Sequence, residues 1–221
     1  MSAGAGREVP WSVVGFYSRY IFPRVLDWAM SRQALAEERP GVLAGVGGSV
    51  LEIGFGTGLN LPHYPPHVRE LTVVEPNPGA LRRSRRRAAA SPIRVQPAGL
   101  VGGRDLPLPD ERFDSVVSTW TLCTIPDVAH ALAEVHRVLR PGGRFFFIEH
   151  GLSPDPRVAR WQNRLNGLNK LLGDGCNLNR DIAGLISASP LRIDRCDRFY
   201  LRDTPRIGGY MFRGTARKPA R

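Results

Sequence analysis

Between residues 49 and 150, short apolar runs alternate with stretches whose apolar positions recur every third or fourth residue. The first pattern is that of strands buried on both faces, and the second that of helices laid against them. Strands are expected near 49–53, 70–75, 93–97, 113–119 and 143–149, with helices starting near Leu59, Gly79, Asp127 and Pro156. The helix from Asp127 puts Val128, Leu132, Val135 and Leu139 on one face. This alternation predicts an α/β fold with a doubly wound, mostly parallel sheet. The end of the chain departs from it. Residues 191–200 and 210–217 read as two strands joined by the turn LRDTPRIGG, and so short a connection forces antiparallel pairing.

Ahead of the sheet, residues 11–38 place Val14, Tyr17, Ile21, Val25, Trp28 and Ala29 at helical spacing, with Pro23 expected to break or kink the helix. Arg39-Pro40-Gly41 and the glycines of 45–48 then read as a flexible passage. The expected division is a helical extension and linker over 1–48 and one main domain over 49–221, which suits the size of a single core. The first residues mix acid and base and hold no long apolar stretch, so neither a signal peptide nor a membrane span is expected.

Charge changes the picture only a little. The chain has a net charge of +11 from 31 basic and 20 acidic residues, and every basic residue except Lys170 and Lys218 is arginine. Such a balance invites a nucleic-acid or anionic-membrane partner. It speaks more directly to solubility, however, and solvated surface is the expectation. The run RRSRRR at 82–87 sits on a predicted helix whose inner stripe is Leu81, Ser84 and Ala88, so its arginines fan outward. Nucleic acid is not an expected partner; a weak membrane-surface contact through the basic amphipathic N-terminal stretch stays open, although Pro23 weakens it. No feature of the sequence sets an oligomeric state. Three distant cysteines, Cys123, Cys176 and Cys196, fit neither a disulfide framework nor a CxxC metal site, which leads to a reducing cytoplasm and no expected metal.

Candidate chemistry begins in VLEIGFGTGLN, residues 50–60. Gly54, Gly56 and Gly58 follow a strand and lead into a helix, where backbone can turn tightly and approach a ligand unobstructed. The dinucleotide pattern GxGxxG is not met, because the third glycine comes one residue early and Leu59 stands in the place reserved for glycine or alanine. Glu75, an acid at the end of the second strand and about 20 residues beyond the glycines, is placed to accept both hydroxyl hydrogens of a ribose.

This glycine spacing with Glu52 ahead of it resembles motif I of the class I S-adenosylmethionine-dependent methyltransferases. The resemblance implies a Rossmann-like sheet, S-adenosyl-L-methionine as cofactor, and a pocket drawn from Glu52, Gly54, Phe55, Gly56, Gly58, Asn60, Glu75, Pro76, Asn77 and Trp120. LPLPDERFDSVVSTW at 106–120 and EVHRVLRPGGRFFFIEH at 134–150 resemble the corresponding stretches of ubiquinone-biosynthesis-like methyltransferases. Where that family often has an acid before this stretch to read the adenine, Gly102, Gly103 and Arg104 stand here, which leaves backbone or Asp105 for the contact. GLNLPHYPP, STWTLCTIPD, IEHG, the segment 161–181 and the closing YMFRGTA narrow the resemblance to the methyltransferase-like seven group of thiol S-methyltransferases and its bacterial relatives.

The resemblance implies methyl transfer to a small-molecule acceptor, a thiol first, with oxygen, nitrogen or carbon of a lipid or quinone as the alternative. Methyl donation from a sulfonium asks mainly for alignment and exclusion of water. A thiolate acceptor needs only an environment that lowers its pKa. His150 at the end of strand five supplies a group that titrates near neutrality, and Asp174 and Cys176 lie in a Gly-bounded segment that reads as a substrate loop. Tyr17 and Tyr20 are candidates for a lid. Two other classes are weighed: a nucleic-acid methyltransferase, against which WTLC stands in place of [DN]PP[YF], and a cofactor-binding protein without turnover.

Overall fold

A computed structural model describes residues 15–100 and 105–220. The strands are β1 (Val50–Ile53), β2 (Glu70–Val74), β3 (Arg94–Ala98), β4 (Phe113–Thr119), β5 (Leu139–His150), β6 (Arg192–Tyr200) and β7 (Tyr210–Arg217). The helices are α1 (Phe22–Met30), α2 (Gln33–Ala36), α3 (Glu38–Leu43), α4 (Pro78–Ala90), α5 (Val128–Val138), α6 (Pro156–Leu172), α7 (Ile182–Ser187) and α8 (Arg206–Gly209). All seven strands join one sheet in the order β3-β2-β1-β4-β5-β7-β6. β1 to β5 run parallel, and β7 lies antiparallel between β5 and β6. This is the doubly wound, mostly parallel sheet with an antiparallel end pair that the sequence pattern predicts.

Side-chain alternation along the strands divides the core between the two faces. Val116, Phe145 and Phe147 face one layer with Leu132 and Val135 of α5 and Ile182 and Ile186 of α7. Val117, Phe146 and Ile148 face the other with Leu43 of α3, and Leu81 and Ala88 of α4 pack against that cluster as their spacing implies. The helices that start where expected carry their own caps. Asn77, Asp127 and Asp155 each accept backbone N–H bonds at the start of α4, α5 and α6, which satisfies donors the first turn leaves free.

Three expectations are corrected. No helix starts at Leu59; the chain makes one 3₁₀ turn, Leu61–His63. Pro62, Pro65 and Pro66 remove the amides a longer helix would need, and Tyr64, before Pro65, is already extended at φ −67 and ψ 144. The N-terminal stretch is not one kinked helix but a π-turn over Tyr17–Ile21 followed by α1, α2 and α3, with Pro23 in the first turn of α1. Residues 1–14, and with them Trp11 and Val14, lie outside the described residues. Arg39-Pro40-Gly41 is not a flexible passage, because it lies inside α3, where Pro40 is tolerated in a first turn that has no N–H partner to lose. β5 also starts earlier than 143. Its opening residues bulge away from β4 between Phe113 and Ser115, and Gly142 turns at φ +77.

Candidate functional site

In an open parallel sheet, ligands bind outside the carboxyl ends of the strands where the strand order reverses. Here that point lies between β1 and β4. The glycine loop leaves β1 there, with Gly54, Gly56 and Gly58 at φ of +75, +57 and +80. A Cβ at Gly54 would stand 2.0 Å from Thr121 Oγ1, so this glycine lets the loop press against the one leaving β4. A Cβ at Gly56 would meet nothing nearer than Gly54 O at 3.9 Å, so the loop is open on that side.

Glu75, one residue beyond β2, turns its carboxylate onto this loop. Oε2 accepts from Gly56 N at 2.6 Å and Oε1 from Asn77 N at 2.8 Å. Burial pushes its pKa up to about 7 against these two bonds, and the Asp174 carboxylate adds to the rise. Asn77 caps α4 through Gly79 N and Ala80 N, while Pro76 is exposed.

The motif positions do not all face the cleft. Glu52 is 1% exposed and accepts from Asn60 Nδ2 at 2.8 Å and Tyr64 OH at 2.7 Å. Asn60 also donates to Thr119 Oγ1 and accepts from Arg39 at 2.6 Å. Burial raises Glu52 to about 7 despite these partners and Arg39, and pulls Arg39 down to about 10. The Arg39 guanidinium lies 4.8 Å from the Trp120 ring centroid. Glu52, Asn60 and Arg39 thus form a satisfied polar network under the loop, and the Phe55 side chain belongs to the core. Trp120 sits at φ +50 directly after β4, with its Nε1 buried and without a hydrogen-bond partner. That orphan donor at the switch point, beside a glycine cradle with an open side, fits a ligand bearing hydrogen-bond acceptors.

The N-terminal elements close one side. Ser18 Oγ donates to Asp174 Oδ1, and Asn77 Nδ2 donates to Ser18 O at 2.9 Å and to Asp174 Oδ2 at 3.3 Å. Tyr17 OH donates to Leu172 O at 2.8 Å. Asp27 of α1 accepts from Thr57 of the glycine loop at 2.6 Å and pairs with Arg83 and Arg87 of α4. Part of the arginine run therefore points inward at Asp27 instead of fanning into solvent. Burial would raise Asp27, but its bonds to Thr57, Arg87 and Arg83 hold it below the usual carboxylate range. Asp27 and Arg39 carry no motif and were legible only through this tertiary packing.

Beyond the end of β4, Glu149 collects Ser118 Oγ and the amides of Thr121, Leu122 and Cys123, so it holds the loop that carries Trp120 and Cys123. Burial raises its pKa against those donors. His150 Nε2 meets Cys176 Sγ at 3.0 Å, and Cys176 Sγ lies 3.7 Å from Cys123 Sγ. The structure thus brings together His150 and Cys176 and adds Cys123. Asp174 is placed apart from them, on the side of Asn77 and the N-terminal elements. The Cys123 contact and burial push the Cys176 thiol well up, and the Cys176 contact raises His150 although burial opposes it. Asp105 is occupied by His130 Nε2 at 2.7 Å, while Gly102, Gly103 and Arg104 lie outside the described residues.

Residues 51–147 match the family described as methyltransferase domain, and this stretch lies on a Rossmann-like sheet. Among individual proteins, the chain is 38% identical over 144 residues to the thiol S-methyltransferase TMT1B of Homo sapiens, covering 63% of this chain and 59% of that one. It is 34% identical over 127 residues to a phosphatidylethanolamine N-methyltransferase of Cereibacter sphaeroides, covering 54% and 62%. In both cases it spans less than two thirds of the relative's length. An S-adenosylmethionine-dependent methyltransferase from Mesorhizobium loti superposes with a TM-score of 0.61 over 85% of this chain and 99% of its own, at 19% identity, which is a likeness of fold.

Proposed function

We propose that this chain methylates a small-molecule thiol, using S-adenosyl-L-methionine bound in the cleft between the ends of β1 and β4. The observation that carries the cofactor half is Glu75 closing over a loop of three left-handed glycines at the topological switch point. The cofactor supplies a methyl group already activated on a sulfonium. The protein's part is to bind, orient and keep water out. Glu75 is the group to accept ribose hydroxyl hydrogens, the open side of the loop at Gly56 lies under the chain of the ligand, and Trp120 Nε1 is the free donor. Glu52 and Asn60 act from beneath, by holding the loop. Asp174, Asn77 and Ser18 close the N-terminal side, so the stretch before residue 49 completes the site instead of standing off as a separate unit.

The thiol half is supported by the named activity of the TMT1B relative and by His150, Cys123 and Cys176 gathered on the acceptor side of Trp120. One observation favours the alternative of a lipid or quinol acceptor. An apolar concavity lined by Leu165, Leu168, Leu172, Leu178 and Ile207 lies along α6 and the segment that carries Cys176. Among the described residues no helix is long and apolar enough to cross a membrane.

The acceptor is read by incubating the full chain with S-adenosylmethionine labelled in its methyl group and separate pools of thiols, phenols, amines, quinols and phospholipids. Label is expected in thioethers. Label confined to the quinol or phospholipid pool would replace the thiol reading with the alternative, and no transfer at all beside tight cofactor binding would point to a binding protein without turnover.

A further inference from the structure

Cys123, His150 and Cys176 come from the loop after β4, the last residue of β5 and the loop after α6, and their ligating atoms all lie within 4.8 Å of one another. We propose that these three side chains form a zinc site with one coordination position left open, and that the acceptor thiol, on the reading of function given above, binds there as a thiolate.

The donor set is the first argument. Two sulfurs and an imidazole suit zinc, and three protein ligands with an open fourth position are the pattern of catalytic, not structural, zinc. Geometry is the second. Zinc–sulfur bonds of about 2.3 Å at a tetrahedral angle put two sulfurs about 3.8 Å apart, and Cys123 Sγ and Cys176 Sγ are 3.7 Å apart with both thiols free. Anchoring is the third. Cys123 O accepts from Asn177 N and Nδ2, both at 2.9 Å, its amide reaches Glu149, and Cys176 O accepts from Asn169 Nδ2 at 2.8 Å. The two cysteines, 53 residues apart in sequence, are therefore held in place by hydrogen bonds of their backbone that leave the sulfurs to the site. Charge is the fourth. Two thiolates balance a divalent cation, and the Arg180 guanidinium, which donates to Leu122 O, has both sulfurs within electrostatic reach.

Such a site has a purpose in thiol methylation. A thiol that coordinates a cation loses its proton, so no dedicated base is needed. The balance is simple: R–SH gives its proton to solvent on binding, its sulfur forms the new S–CH₃ bond, and the electron pair of the broken C–S⁺ bond returns to the cofactor's sulfur. The neutral thioether that results is a weaker ligand than a thiolate and leaves.

The test titrates cobalt(II), a spectroscopic stand-in for zinc, into the reduced, chelator-stripped full chain. Expected are one equivalent bound, tetrahedral d–d bands, a thiolate-to-cobalt charge-transfer band, and bleaching by zinc. Cys176→Ser should remove about half of the charge-transfer intensity, as one of two thiolate ligands, while Cys196→Ser leaves it whole. Added 2-mercaptoethanol should shift the bands. If Cys176→Ser melts early, alkylation of the wild-type chain replaces it: iodoacetamide should modify Cys176 in the stripped protein and spare it in the zinc-loaded one. No charge-transfer band, a band indifferent to Cys176→Ser, or no zinc protection would overturn the site, and bands blind to added thiol would overturn its open position. These spectra do not depend on turnover, so an acceptor panel that labels only lipids or quinols would sink the thiol reading while leaving the metal measurement to stand or fall by itself.

Discussion

Two carboxylates, one buried and one half-buried, divide the work of the glycine loop at the scale of single residues. Glu75 faces the cleft, whereas Glu52 is enclosed by Asn60 and Tyr64. Both titrate at about 7 against an ordinary 4.5, because burial disfavours their charged forms. A carboxyl whose pKa is raised on folding holds its proton more tightly in the folded chain. Its contribution to stability is complete below about pH 4.5 and is lost as pH rises through about 7. Denaturant titrations at pH 5 and pH 8 should therefore show each of these two groups working against stability at the higher pH, by on the order of 1 to 3 kcal/mol. Glu52→Gln should flatten that slope; an unchanged slope would mean that Glu52 is not the buried acid described. Glu75 was legible in the sequence from its distance to the glycines. The enclosure of Glu52 was not, because Tyr64, Asn60 and Arg39 meet it only after the prolines of 62–66 and helix α3 have folded over the loop.

Local chemistry decided which elements could be read. α4, α5 and α6 announce themselves by an Asn or Asp cap, and for α4 and α6 a Pro follows it at once. The helix expected from Leu59 and the linker expected at 39–41 failed for the same reason, since proline and glycine mean different things at different positions of a turn. The packing of the N-terminal elements onto α4 is the feature no periodicity could show. It depends on Gly79, where a Cβ would stand 2.1 Å from Arg19 O and 2.8 Å from Pro23 Cγ. Gly79→Ala should push the 17–30 stretch away from α4, visible as faster proteolysis before residue 31 and a several-fold weaker hold on the cofactor. Equal protection in the variant would show that this stretch does not cover the site. Gly54→Ala makes a second prediction at this scale. A side chain at φ +75 and 2.0 Å from Thr121 Oγ1 combines strain with overlap, and destabilisation by roughly 2 to 4 kcal/mol is expected from thermal melts.

Across the whole molecule, the sheet and its antiparallel edge were readable because they rest on local alternation and one short turn, while the acceptor side was not. Cys123, His150 and Cys176 look unrelated along the chain, and only the strand order that sets β4 beside β5, with the loop after α6 folded back over both, makes a cluster of them. The charge of +11 likewise has a partly internal use, since Arg83 and Arg87 tie α1 to α4 through Asp27. What unites these parts is the cleft at the reversal of strand order, and the account stands on its holding S-adenosylmethionine. Calorimetric titration of that ligand into the wild-type chain and into Glu75→Ala and Glu75→Gln tests this most directly. Loss of hydrogen bonds to a charged acceptor predicts binding at least about tenfold weaker in Glu75→Ala, with Glu75→Gln in between. Equal affinity in all three proteins, or no heat of binding in the wild type, would contradict the account.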